Sequence, residues 1–224
     1  MSHGSLVSPA TRDRVRGFAR PIALALGRVG LTPNALTVIG FVGTGAAAAA
    51  AAYQQWTLAG ILVLAFGIFD LFDGALARAT GTASKFGAFL DSTLDRTGES
   101  LVLAGVAVGC AATGFVEGVL AAGLAAAFAS SVTYTRAKAE SLGVHGEVGV
   151  APRPERLVLL AAGLMLAGWG DVNLVPPAGS TCIESCIQTG GLGLLAMLGL
   201  IAILSAVTVV QRILHVKKQL DQQS

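Results

Sequence analysis

Apolar residues run through this chain in long blocks, interrupted by short polar clusters. Six blocks read as helices, over about 34–53, 56–79, 83–112, 115–141, 154–170 and 190–214. A helix needs about 20 mostly apolar residues to cross a bilayer, and most of these blocks reach that length. The block over 154–170 is the shortest. Ahead of them, Arg12, Arg16 and Arg20 alternate with Val15, Phe18, Ile22 and Leu26 at helical spacing. That pattern predicts an amphipathic helix over 8–29, lying on a membrane surface. Leu31-Thr32-Pro33-Asn34 then ends it and starts the next helix, with Thr32 as N-cap and Pro33 in the first turn. The predicted fold is all-α: a polytopic membrane protein with six transmembrane helices and an N-terminal surface helix. Its expected divisions are a cytosolic N-terminal segment 1–30, a six-helix domain 31–216 and a cytosolic tail 217–224.

Composition supports the membrane assignment. The 224 residues are 54% hydrophobic and 12% charged, with a mean hydropathy of +0.71. Soluble domains carry about 25% charged residues. The 29 glycines, with many alanines, point to closely packed helices. The first residues are polar and basic and do not read as a cleavable leader.

Placement of charge says more than its sum of +2. With six spans, all 15 Lys and Arg fall on one side, and the opposite loops carry only Glu117, Asp171 and Glu184. The positive-inside rule then puts both termini in the cytosol, with the chain in the cytoplasmic membrane. An odd number of spans would scramble this pattern. The basic residues flank the membrane and form no soluble basic face, so nucleic acid is not an expected partner. Cys182 and Cys186, in a loop expected outside the cytosol, are spaced for a local disulfide; Cys110 reads as a packing residue. The histidines show no spacing for a metal or a triad.

The candidate chemistry lies at Asp70, Asp73, Asp91 and Asp95. The first pair is spaced i, i+3 and the second i, i+4, so each projects from one helix face. Side by side, two such helices would gather four carboxylates at the cytosolic end of the bundle. Each costs roughly 2.5–3.5 kcal/mol in a membrane even on lenient scales. Divalent cations are the simplest way to hold them together, and oxygen-only ligands favour Mg²⁺ or Mn²⁺. Two such ions would suit a diphosphate undergoing displacement. Gly74, Ala77 and Gly87 share the aspartate faces and leave room for a base or a close helix contact, while Arg78 offers a fork of donors. The alternatives are buried ion pairs, such as Asp95 with Arg78 or Arg96, and a cation-coupled transporter. The short far-side loops, lacking polar residues aligned with the aspartates, argue against a transporter.

The ordered pattern Asp70-x-x-Asp73-Gly74-x-x-Ala77-Arg78, eight residues, then Gly87-x-x-x-Asp91-x-x-x-Asp95 resembles the full signature of the CDP-alcohol phosphatidyltransferase family. The resemblance extends over most of the chain, including the Leu31–Asn34 entry to the first span. It implies that Asp70, Asp73, Asp91 and Asp95 bind two metal ions and that Asp95 is also the general base. It further implies that Asn34, Gly74, Ala77, Arg78 and Gly87 shape the CDP site, and that the enzyme works as a homodimer.

A second group bears on the acceptor. Thr133 and Arg136 near the end of the fourth block, Arg153-Pro154-Glu155-Arg156 and Val210-Gln211-Arg212 converge on the cytosolic side. As a bland alternative these cations anchor the chain to anionic lipids. The R-P-E-R and V-Q-R sequences resemble those of the actinobacterial phosphatidylinositol-phosphate synthases, a branch of the same family. That likeness implies an acceptor-phosphate site formed by Thr133, Arg136, Arg153, Arg156 and Arg212. The expected reaction moves a phosphatidyl group from CDP-diacylglycerol to inositol 1-phosphate, releasing CMP. Glycerol 3-phosphate or another polar alcohol is the alternative acceptor. Thr133 and Arg136 stand where Ser and Lys are expected.

Overall fold

The structure, a computed structural model, describes residues 21–146, 148–169 and 189–222. Among them are seven helices: α1 (21–28), α2 (Pro33–Ala52), α3 (Trp56–Thr80), α4 (Lys85–Ala112), α5 (Val116–Ser141), α6 (Arg153–Trp169) and α7 (Thr189–Asp221). The expected surface helix is helical over 21–28; its earlier residues, with Arg12, Arg16 and Arg20, and the loop bearing Cys182 and Cys186 lie outside the described residues.

Local chemistry sets the boundaries. Thr32 caps α2, its hydroxyl accepting from Ala35 N at 3.2 Å, with proline in the first turn. Gly81, at φ +68°, ends α3 in the left-handed conformation that glycine adopts most readily. Three residues later Ser84 caps α4, accepting from Gly87 N at 2.9 Å. At its far end, α7 runs to Asp221 instead of stopping near 214. The extra turns contain Lys, Gln and Leu, which are good helix formers, and Gln219 holds both backbone groups of His145.

The six long helices close into a ring. Going round, α2 packs on α3, α3 on α6, α6 on α7, α7 on α5, α5 on α4, and α4 on α2. The two aspartate-bearing helices, α3 and α4, therefore do not lie side by side as their short connection suggested; each has α2 as a principal neighbour. The α2–α4 contact is close because glycine permits it. A Cβ on Gly105 would meet Ala48 O at 2.2 Å, and one on Gly109 would meet Ala51 O at 2.3 Å. Leu103, Leu160, Leu164, Leu194, Leu198 and Ile201 fill the main core. The outward faces stay apolar, with Val42, Leu120 and Ile203 all largely exposed.

Four helices are long and apolar enough to cross a membrane: α2, α3, α5 and the apolar length of α7 from Gly190. Charge keeps α4 out of that group, since Asp91, Asp95, Arg96 and Glu99 crowd its first half. Length keeps α6 out, at 17 residues.

Candidate active site

The carboxylates meet inside one end of the ring, brought there by α3 and α4. Asp70 and Asp95 both point at the guanidinium of Arg153, which opens α6 across the ring. Arg153 Nη1 lies 2.9 Å from Asp70 Oδ2 and 2.5 Å from Asp95 Oδ2. Asp91 lies within electrostatic reach of Asp70, Asp73 and Arg153. Asp73 is the most enclosed of the four, at 5% exposure. It accepts from Thr37 Oγ1 at 2.7 Å and from Gly74 N.

Among the described residues, no three acidic, His or Cys side chains are closed into a metal-holding group. A protein cation sits between the carboxylates instead. The chemistry of the donor set nevertheless fits a hard divalent ion. Its donors are oxygens only, and two of the carboxylates already share one positive charge. Asp70 and Asp95, with Asp91 nearby, are the residues placed to hold such an ion. Asp73 is turned towards Thr37.

The residues expected around the nucleotide form two contacts. Arg78 folds back along its helix, so that a Cβ on Gly74 would meet its Nη1 at 3.2 Å. Asn34 and Ser84 lie against Gly87, where a Cβ would meet Asn34 Oδ1 at 3.2 Å and Ser84 Oγ at 3.1 Å. The start of α2 thus meets the start of α4 beside the aspartates. Half-buried Ala77 lies one turn after Asp73, and its carbonyl accepts from Thr82 N at 3.0 Å at the end of α3.

The acceptor group is split by the structure. Arg153 alone reaches the aspartates. Arg156 is 2% exposed and clasps Glu99, with Nε to Oε1 at 2.7 Å and Nη2 to Oε2 at 2.8 Å. Arg212 donates from Nε to Val148 O at 2.8 Å and from Nη1 to Val132 O. Arg136 pairs with Glu140 at 2.8 Å on the exposed side of α5. Thr133 lines a cavity of about 190 Å³ between α4 and α5, along with Arg96, Glu99, Ser100, Ser130 and Tyr134.

Sequence reasoning missed Thr37 and Glu99. Glu99 had a signal, because the spacing of Asp91 and Asp95 continues one turn further to it. Thr37 had none beyond a hydroxyl in an apolar helix.

This arrangement of carboxylates on two helices, a basic residue facing them and small residues along the same faces coincides with a family-wide match. A model of the CDP-alcohol phosphatidyltransferase family matches residues 30–215, and the chain belongs to that family of membrane transferases of phospholipid biosynthesis.

Its relatives are more particular. It is 36% identical over 202 residues to the phosphatidylinositol phosphate synthase of Cutibacterium acnes, covering 88% of this chain and 91% of the relative. It is 39% identical over 160 residues to the archaetidylinositol phosphate synthase of Methanothermobacter thermautotrophicus, covering 70% and 76%. Among solved structures it resembles the Mycobacterium tuberculosis phosphatidylinositol phosphate synthase with CDP-DAG bound, at a TM-score of 0.73 and 31% identity, over 88% of this chain and 92% of that one. The same enzyme in complex with manganese and citrate gives a TM-score of 0.72 at 30% identity, covering 88% of each chain.

Proposed function

We propose that this chain transfers a phosphatidyl group from CDP-diacylglycerol to inositol 1-phosphate, giving phosphatidylinositol phosphate and CMP. One observation carries the reading: Arg153, a phosphate-binding type of side chain, sits directly on the carboxylates of Asp70 and Asp95. A site that pairs metal-binding acids with a forked cation suits an acceptor that brings its own phosphate. The names of the relatives support the same acceptor.

In this reading Asp70, Asp73, Asp91 and Asp95 hold two divalent ions, Mg²⁺ or Mn²⁺. When bound, these ions neutralise the diphosphate and stabilise the charge that develops on the leaving CMP. Arg78 holds a phosphate of the nucleotide, and Gly74, Ala77, Gly87 and Asn34 leave room for its base and ribose. Arg153 orients the acceptor phosphate, with Thr133 and Arg136 on the neighbouring face of α5. Asp95 accepts the proton of the attacking hydroxyl. That oxygen bonds to the β-phosphorus, the bond from β-phosphorus to the bridging oxygen breaks, and CMP departs with that oxygen.

The placement in the bilayer follows the charges. All six long helices span the cytoplasmic membrane, both termini and the site face the cytosol, and the helix over 21–28 lies at the membrane surface. α6 is short because it starts at the site, below the headgroups. A homodimer is the proposed assembly.

The test is CMP release by purified protein in detergent with CDP-diacylglycerol and Mn²⁺, comparing inositol 1-phosphate with glycerol 3-phosphate. Turnover with inositol 1-phosphate supports the reading. Turnover with glycerol 3-phosphate alone keeps the family chemistry and removes the proposed acceptor.

A further inference from the structure

A second, smaller apolar core stands apart from the one that fills the ring. It forms where α1 meets the start of α2 and the last turns of α3. Ala23 and Gly27 of α1 are spaced i, i+4 and share a helix face. Ala23 is 0% exposed, and a Cβ on Gly27 would come within 2.7 Å of Leu76 Cδ1. These small residues let α1 lie close against α3. Leu76 is itself buried, and it sits between Asp73-Gly74 and Ala77-Arg78. Phe69 and Phe72, whose rings meet edge-on at 5.6 Å, extend the seat along α3.

The joint between α1 and α2 is closed by hydrogen bonds. Gly30 N–H donates to Gly27 O at 3.0 Å and Leu31 N–H to Leu26 O at 3.3 Å, with Gly30 at φ +88°. This pair of bonds is a Schellman motif, and Leu26 and Leu31 complete it by packing on the small core. The very next residue, Thr32, caps α2. With no free residue between stop and start, the two helices form a stiff elbow. Its second arm runs into the site along one face of α2. Asn34 lies against Gly87, Thr37 donates to Asp73, and a Cβ on Gly40 would meet Asp70 Oδ1 at 3.2 Å. The seat of α1 therefore bears on the nucleotide region twice, directly on α3 and through the elbow on α2.

We propose that Ala23 and Gly27 are positioning residues for the nucleotide end of CDP-diacylglycerol. By seating α1 on Leu76 they fix how Gly74, Ala77 and Arg78 of α3 stand relative to Asn34 and Gly87. They act through Leu76 and the elbow. Because α1 is no part of the ring, unseating it leaves the six long helices packed, which separates positioning from stability. Small displacements of groups that orient a substrate are costly even when they lie away from the reacting atoms. The inference rests on the reading that the site takes a CDP-linked lipid.

The experiment uses the full chain in detergent with Mn²⁺. It measures steady-state CMP release, varying CDP-diacylglycerol and inositol 1-phosphate separately, together with calorimetric binding of CDP and thermal melting. Gly27→Leu forces α1 off Leu76. It is expected to raise the KM for CDP-diacylglycerol about tenfold, the scale of one lost phosphate contact, and to weaken CDP binding by the same factor. The KM for inositol 1-phosphate should move no more than about twofold, and the melting temperature should stay near wild type. Ala23→Leu, one turn away on the same face, should do the same, while Ala25→Leu on the exposed side should change nothing. Wild-type CDP affinity and CDP-diacylglycerol KM in a folded Gly27→Leu protein overturn the proposal. So does an equal rise in both KM values, which a merely structural role would give. A raised CDP-diacylglycerol KM with unchanged CDP affinity also overturns it, since α1 would then grip the acyl chains. If Gly27→Leu does not fold, Ala23→Leu decides by the same criteria. Should the wild type use glycerol 3-phosphate and not inositol 1-phosphate, the acceptor reading fails, and the nucleotide comparison is made with that acceptor. A wild type that neither releases CMP nor binds CDP overturns both.

Discussion

Thr37 of α2 donates its hydroxyl to Asp73 of α3 at 2.7 Å, in the interior and across 36 residues of sequence. The bond ties the helix that lies against both α3 and α4 to the most enclosed of the four carboxylates. It also sets the direction in which Asp73 faces.

Replacing Thr37 with Val keeps the shape and removes the donor. An unsatisfied buried group costs about 1–3 kcal/mol. Thr37→Val should lower the unfolding midpoint in detergent accordingly and reduce turnover, while Thr37→Ser keeps most of both. Equal melting of all three proteins would show that the bond carries no weight.

Asp95 should be indispensable. On the proposed mechanism Asp95→Asn would remove the proton acceptor and one cation ligand, and CMP release should fall by at least about 10²-fold, the low end for a lost general base. Because Asn still accepts from Arg153, the folded protein should persist by size-exclusion chromatography. Activity near wild type would place the base elsewhere.

Divalent ions should be required and exchangeable. Treatment with EDTA should abolish CMP release, and added Mg²⁺ or Mn²⁺ should restore it. Turnover that survives chelation would leave Arg153 as the cation serving Asp70 and Asp95.

Gly105 tests the packing that supports the site. A methyl group there would collide with the backbone of Ala48 at 2.2 Å, so α2 and α4 must separate. Gly105→Ala should destabilise by about 1–3 kcal/mol, the usual scale of overpacking, read as a lower melting temperature. Gly123, with open space around it, should accept Ala with no comparable loss.

The sequence made the helices legible because their apolar blocks are long and Thr32-Pro33 marks the start of the first of them. It also made the four aspartates legible, since ionisable residues in apolar helices are costly and ask for a reason. Partner choice was not legible. Arg153 and Asp95 are separated by 58 residues, and Arg156 and Glu99 by 57. Only the closure of the ring brings α6 opposite α4. A run of cations near a membrane edge looks alike whether its members meet phosphate, backbone carbonyls or acids. The structure distributes them as Arg153 to the aspartates, Arg156 to Glu99, and Arg212 to the loop.

The Arg153 bridge also has a consequence for how the protein is made. A ribosome delivers Asp70, Asp73, Asp91, Asp95 and Glu99 well before residue 153 leaves the tunnel. During that interval the nascent chain carries five acids in or near apolar helices, three of them without the arginines they later pair with. The unfinished protein must keep those helices close to water, or lean on ions and cellular insertion factors, until α6 arrives. A chain truncated before α6 should for the same reason be poorly retained in the bilayer and quickly cleared by proteolysis.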